Sequence, residues 1–505
     1  MTPTLIITVL VAYFLVLILI SILTSRNANS DTFFTGDKQS PWYLVAFGMI
    51  GASLSGVTFI SVPGKVLIES MAYFQIVLGY VVGYIVIAKV LMPLYYKMNL
   101  VSIYEYLLDR FGFISYKTGA AFFILSRTLG SAIRLYLATF VLQLFLFEDL
   151  GVPYWATALT TVALIWVYTF KGGIKTIVYT DTFQTFFLIS AVVLCTVVIA
   201  NALNVDLFGL FHEISKTKNL SGDSMTKIFF FDDFKSTIYF PKQFFGGMFL
   251  AIAMTGLDQD LMQKNLTCKS LKDAQKNMYS FTTVLVFVNF LFLILGGALY
   301  VFANQKGISL PMANGKVITD HVFPTLALGD FGTIAGVFFL LGITASSYAS
   351  ADSALAALTT GFCIDFLNFN KREEKQKKKY QLFVHIGFSL LFLIIILGTQ
   401  VYIDGHPGND LIGTILKIAS YTYGPLLGLF SFGIFTKRKT KEIFVPFICI
   451  ISPIICYYLS FNSAELFSGY LFGNELLILN GIITFTGLWL FSSKNISSEE
   501  IKSTL

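Results

Sequence analysis

The stretch Gly342-Ile343-Thr344-Ala345-Ser346-Ser347-Tyr348-Ala349-Ser350-Ala351-Asp352-Ser353 carries the residue types best suited to chemistry. Ile343, Ser346, Ser347 and Ser350 stand at i, i+3, i+4 and i+7, so on a helix they share one face. Two adjacent hydroxyls beside a loosened helix can replace the water around a hard cation, which takes oxygen ligands. The same serines can bond back to their own helix or hold two helices together. Taken alone, the patch fits both roles equally.

A second segment supplies a loosened backbone. Gly48, Gly51, Gly56, Pro63 and Gly64 punctuate an apolar run, with Ser53, Ser55, Thr58 and Ser61 between them. Gly and Pro weaken a helix. Carbonyls freed inside a bilayer must find a partner, and a cation is one. Any single glycine is explained by close helix packing; the segment as a whole reads as functional. Gly246, Gly247 and Gly256, ahead of Asp258-Gln259-Asp260, make a corresponding interruption five spans later. Arg134 lies mid-span, with Arg127 two turns before it, and Lys417 lies inside a later span. A charge at the bilayer centre costs at least about 2.5–3.5 kcal/mol, so each must be paired or reach water. Arginine suits a carboxylate through a bidentate contact. The other readings are pairing of Arg134 with Asp181 or a backbone carbonyl, and snorkelling for Arg127, Lys417 and Lys89.

The elements that hold these residues are transmembrane helices. The chain has 505 residues, 55% hydrophobic and 13% charged, with a mean hydropathy of +0.74; soluble domains carry roughly 25% charged residues. Long unbroken runs, such as 5–23, 186–202 and 382–397, suit helices of about 20 residues rather than the short alternating strands of a barrel. We expect an all-α polytopic membrane protein of about 13 spans: 4–24, 42–63, 70–96, 118–147, 154–171, 178–203, 241–262, 278–303, 330–365, 381–399, 410–435, 442–460 and 474–492. The first run is too long for a signal peptide and lacks a basic leader, so it reads as a retained span. Cys195, Cys268, Cys363, Cys449 and Cys456 are scattered and odd in number, which argues against disulfides and metal spacing. Basic loops hold Lys264/Lys269/Lys272/Lys276, the run from Lys371 to Lys379, and Lys437-Arg438-Lys439-Lys441. Such loops stay cytoplasmic, which puts the N-terminus outside and the C-terminus inside. The net charge of +6 is explained by these topology anchors and needs no nucleic acid. The segment from Asp206 to Lys242 reads as an outer connecting loop, and the tail from Ser493 to Leu505 is too short for a signalling domain.

With these features in view, the sequence resembles the sodium/solute symporter family of sodium–glucose, sodium–proline, sodium–sialic acid and sodium–monocarboxylate carriers. The resemblance runs from about Phe33 to about Thr436. It rests on five segments in order: Gly51-Ala52-Ser53-Leu54-Ser55; Gly172-Gly173-Ile174-Lys175 with Tyr179-Thr180-Asp181 and Gln184; Asp258-Gln259 with Gln263-Lys264-Asn265-Leu266; Ala345-Ser346-Ser347-Tyr348-Ala349-Ser350; and Tyr423-Gly424-Pro425-Leu426-Leu427. It implies a five-plus-five inverted repeat over about 42–203 and 241–435, one helix in front and two behind at 442–492. It also implies a sodium site made by the carbonyls of Gly51, Leu54 and Ile343 and the hydroxyls of Ser346 and Ser347. A second sodium, present in some relatives, would use Asp181 and Ser350; Ala349 stands where those relatives have another serine. Asp181 lies near the cytoplasmic end of its span, where interfacial water is the alternative. Ser53, Ser55 and Thr58 match substrate-contacting positions. Sugar carriers place acids or amides where this chain has Val57 and Thr58, which disfavours a simple hexose, and Met254 replaces a gating aromatic. Arg134 adds a hint of an anionic solute.

The implied function is sodium-coupled symport of a small polar organic solute by alternating access, in a bacterial inner or plasma membrane. Proton coupling is the alternative on the same fold; hydroxyls ligate sodium but do not titrate, which disfavours it. An enzyme is disfavoured because His212, His321, His385 and His406 are isolated and no HExxH, GxSxG or Walker pattern is present.

Overall fold

The fold, a computed structural model, is described over residues 3–26, 30–148, 150–170, 172–367, 369, 372–405 and 411–493. Lys371, His406 and the tail beyond Ser493, each singled out above, lie outside these residues. In chain order the helices that matter are α1 (Thr4–Thr24), α2 (Trp42–Ser53), α3 (Gly56–Glu69), α4 (Tyr73–Lys97), α5 (Phe113–Leu142), α6 (Tyr154–Thr169), α7 (Gly173–Ala202), α8 (Leu207–Lys216), α9 (Phe240–Ala251), α10 (Gln259–Leu266), α11 (Leu271–Lys306), α12 (Gly332–Phe366), α13 (Glu374–Gly405), α14 (Ile412–Phe435), α15 (Glu442–Phe461) and α16 (Leu476–Leu490). The strands among the described residues are two short antiparallel pairs, Met312–Ala313 with Lys316–Val317 and Lys439–Thr440 with Ser492–Ser493.

Nine of the described helices are long and apolar enough to cross a membrane, and α2 with α3 makes a tenth if the bent pair is one span. The expected count of 13 is not reached on length and composition. The reason is local: α6 has 16 residues and α16 has 15, about 24 Å or less of helix against a core of about 30 Å, while the expected seventh span is divided into α9 and α10. The outward face of α1 is apolar, with Val11, Leu15, Leu19 and Ile22 exposed, while Leu10, Tyr13, Phe14 and Leu17 are buried. A helix apolar all round belongs in lipid or in a core; this one has a side for each.

Close approach needs small residues. Between α4 and α9, a Cβ at Gly79 would fall 2.1 Å from the Phe244 carbonyl oxygen, and one at Gly247 2.3 Å from the Ile76 oxygen. The central helix is α12, buried continuously from Phe339 to Gly361, with α7 packed along it. The 206–242 segment is more than a connecting loop: it contains α8, capped by Asp206 on the Gly209 amide at 2.7 Å. Leu210 and Ile214 are buried where α8 packs on α11.

Candidate functional site

The expected break between α2 and α3 is present. The chain bends by 61° across Leu54 (φ −88°, ψ 83°) and Ser55 (φ −70°, ψ 169°). Leu54 still bonds to the Ile50 carbonyl at 2.8 Å and Phe59 to the Ser55 carbonyl at 3.0 Å. Among the described residues no protein donor reaches the carbonyls of Gly51 or Leu54 that a continuous helix would satisfy. Against this break lie the paired serines of α12. A Cβ at Gly56 would fall 1.9 Å from the Ser347 hydroxyl oxygen and 3.7 Å from that of Ser346. Both serines and Ile343 are fully buried. Ser346 spends its proton on the Ile343 carbonyl at 3.0 Å, and the Ser347 hydroxyl has no partner. A buried polar atom left alone costs about 1–3 kcal/mol, so this one is an open ligand position beside unclaimed carbonyls. The residues present therefore fit a small hard cation.

The second break, between α9 and α10, is chemically different. Ile252–Gly256 forms one π-type turn, and Leu257 and Asp258 leave the helix. Two of its carbonyls are claimed: Tyr95 donates its hydroxyl to the Gly256 oxygen at 2.9 Å and Tyr104 to the Leu257 oxygen at 2.9 Å. The Gln259 side chain accepts from the Ile103 amide at 2.9 Å and donates to the Val101 carbonyl at 2.7 Å. Side-chain hydroxyls thus cap carbonyls at this break, as none do at Gly51 and Leu54 among the described residues.

Beside the α2–α3 break lies a cavity with about 730 Å³ of empty space, its open mouth included. Its walls bring together Ser53, Ser55, Thr58 and Arg134, the four residues singled out for substrate, with Met254 at the α9 side. Tyr73, Tyr80 and Tyr84 of α4 face it as well. Sequence reading passed them over, although their i, i+7, i+11 spacing is a helix face.

The two arginines differ. Arg127 is buried and paired with Asp260, and its other guanidinium nitrogen lies 3.9 Å from Asp258. Asp260 also takes the Ser353 hydroxyl, and Asp258 takes the Tyr423 hydroxyl. This network ties α5, the α9–α10 break, α12 and α14 together, so Arg127 does not snorkel. Arg134 lines the cavity without an ion pair or hydrogen bond among the described residues; Asp258 is its neighbour only beyond pairing distance.

Three further expectations are corrected. Asp181 does not pair with Arg134: its Oδ2 receives the Lys264 ammonium at 2.5 Å. Nor does Asp181 sit in interfacial water, being fully buried; a Cβ at Gly48 of α2 would lie 3.0 Å from its own Cβ. Lys264 is correspondingly not a loop lysine but is 1% exposed within α10. Asp181 Oδ1 and the Ser350 hydroxyl are buried without partners, on the two packed helices α7 and α12. His385 bridges helices, its ring nitrogens 3.0 and 2.9 Å from the hydroxyls of Thr169 and Thr359. Lys89 and Lys417 are exposed.

Comparison with known proteins places the chain. A family model described as the sodium:solute symporter family matches residues 33–442. The chain is 24% identical over 483 residues to the sodium/sialic acid symporter NanT of Aliivibrio fischeri, covering 94% of this chain and 91% of that one. It is 25% identical to the sodium/sialic acid symporter SiaT of Proteus mirabilis, covering 94% of both. It is also 24% identical to the human sodium/iodide cotransporter, over 81% of this chain and 61% of the other. Among solved structures, the substrate-bound outward-open state of a Na+-coupled sialic acid symporter superposes with a TM-score of 0.80 at 20% identity, over 97% of this chain and 99% of that one. The closed form of the nucleobase-cation transporter Mhp1 gives 0.53 at 12% identity, over 94% and 98%.

Proposed function

We propose, for this chain, which belongs to the sodium:solute symporter family, the sodium-driven uptake of a small organic monoanion. It is a multi-pass membrane protein and a sodium-coupled symporter; the solute class, the ligands and the course of the cycle are our reading.

The observation that carries the reading is the contrast between the two breaks. Among the described residues the carbonyls of Gly51 and Leu54, beside Ser346 and Ser347, have no protein donor, whereas those of Gly256 and Leu257 at the other break are claimed by tyrosines. We assign the transported sodium to the carbonyls of Gly51, Leu54 and Ile343 and the hydroxyls of Ser346 and Ser347. A second cation position at Asp181 and Ser350 is supported by their two partnerless oxygens. The solute would lie in the adjoining cavity, with Ser53, Ser55 and Thr58 on its hydroxyl or carbonyl groups and Arg134 on its carboxylate. Sialic acid, iodide and monocarboxylates, named for the relatives, are all monoanions, and the cavity wall holds two guanidiniums and no carboxylate.

The coupling follows from the shared segment. Ser53, Leu54 and Ser55 form one wall of the solute cavity, and Leu54 also belongs to the ion site. An ion that holds this segment against α12 orders the solute contacts, so each ligand strengthens the binding of the other. Opening to the inside would part α2–α3 from α12, loosen the ion's ligands and release both. The repeat implied by the family relates the α2–α3 break to the α9–α10 break, as in carriers with discontinuous helices at the midplane. The loop charges put the N-terminus outside, and the membrane potential adds about 2.3 kcal/mol per charge per 100 mV.

The test is uptake into proteoliposomes under an inward sodium gradient. The panel is sialic acid, short monocarboxylates, iodide, a neutral hexose and proline, compared with Ser346→Ala/Ser347→Ala. We expect accumulation of an organic anion that is lost in the double variant. Accumulation driven equally well by a proton gradient, or untouched by the serine changes, would overturn the ion site; preference for the neutral solutes would overturn the anion.

A further inference from the structure

A second polar cavity adjoins the first. It is lined by Lys65, Glu69, Gln243, Lys417 and Asn474, with Tyr73, Ile412 and Leu416 shared between the two. The shared residues make one passage. Its outer part borders Thr237 and Phe472–Asn474, so it opens at the end of the bundle that carries the 203–239 and 462–475 connections.

Charge along this passage is one-sided. At the outer station Lys65 meets Glu69 at 3.5 Å, which balances that pair. Lys417 is exposed, and no hydrogen bond or ion pair involves it among the described residues. It stands next to Leu416, which borders both cavities. Further in, the wall carries Arg134 and Arg127 and no carboxylate, and the acids that balance Arg127 lie behind it. A low-dielectric cleft lined by one sign of charge concentrates the opposite sign and speeds its arrival. A cation there would repel sodium rather than serve it.

We propose that the outer cavity is a capture station for the anionic solute, with Lys417 drawing it in and handing it past Tyr73 to Arg134. This rests on the anionic-solute reading above. A sulfonate reagent can stand in for the solute, so the station can be tested without any transport. All five native cysteines are buried, and a reporter cysteine is introduced deep in the passage by Thr58→Cys, or at the junction by Tyr73→Cys. In intact cells, the rates of modification by anionic 2-sulfonatoethyl and cationic 2-trimethylammonioethyl methanethiosulfonate are compared. The anion-to-cation rate ratio should fall at least about 3-fold on Lys417→Gln, stay unchanged on Lys417→Arg, and lose its dependence on residue 417 near 1 M salt, where the Debye length is about 3 Å. A ratio indifferent to Lys417→Gln would overturn the proposal. So would failure of both reporters to react, since the passage would then not open at this face. Neither result bears on sodium-driven uptake, which the serine variants test separately.

Discussion

Gly56→Ala should separate sodium affinity from stability. The new Cβ would fall 1.9 Å from the Ser347 hydroxyl oxygen and 3.2 Å from its Cβ, where contacts under 3.0 Å are essentially never seen. The hydroxyl must therefore retreat by at least about 1.1 Å. Nothing holds it, because it has no hydrogen bond. It can turn about χ1, and even an off-rotamer position costs only about 0.5–1.5 kcal/mol. Turning, however, takes one proposed ligand off the ion. A tenfold loss of affinity corresponds to about 1.4 kcal/mol, and we expect at least that. The assay is the sodium concentration for half-maximal uptake in proteoliposomes, alongside thermal unfolding in detergent. Half-saturation should rise at least about tenfold while stability falls by no more than about 1.5 kcal/mol. In a Ser347→Ala background the oxygen that clashes is gone, and adding Gly56→Ala should shift half-saturation by less than about 2-fold, since changes that share a partner are not additive. Parent-like sodium dependence in Gly56→Ala, or full additivity with Ser347→Ala, would refute the placement of the ion.

Other outcomes follow from the pairs and cavities described. Arg134→Gln should raise KM for an anionic solute by about 10–100-fold, the worth of a charged hydrogen bond of about 1.5–3 kcal/mol; uptake kinetics with the preferred solute decide it. Lys264→Met strands the buried carboxylate of Asp181 and should cost about 3–5 kcal/mol, with much of the loss recovered in Asp181→Asn/Lys264→Met; thermal unfolding of both variants beside the parent is the measurement. Tyr95→Phe/Tyr104→Phe removes the donors that seal the α9–α10 break and should lower stability by about 1–3 kcal/mol for each carbonyl left bare. Half-saturation by sodium should not move, and a large change there would place an ion at the wrong break.

The parts of this molecule that are local in sequence could be read from it. Gly51, Gly56 and the serines between them announce a break wherever the chain goes next, and Ser346 and Ser347 share a helix face by spacing alone. Partnership across the chain could not be read in the same way. Lys264 sits among Lys269, Lys272 and Lys276 in a stretch that ends a helix, which is the usual signature of a topology anchor. Its partner Asp181 lies 83 residues away, and only packing of α7 against α10 brings them together. Arg127 looked like a stray charge because Asp260, 133 residues on, follows a break whose direction depends on Tyr95 and Tyr104. The expected span count is not reached by length and composition for a local reason: α6 and α16 are short and the expected seventh span is divided into α9 and α10.

The unclaimed carbonyls of Gly51 and Leu54 also bear on the carrier between transport events. A peptide oxygen without a protein donor must be met by something else, and, with sodium at the site proposed above, that something is water once the ion has gone. Loss of the ion and wetting of the membrane centre are then a single step. The empty carrier has to hold a few ordered water molecules in the middle of the bilayer until its next sodium arrives. Solutes that lower water activity and cannot reach the cavity should therefore slow the return of the unloaded form while leaving loaded exchange untouched.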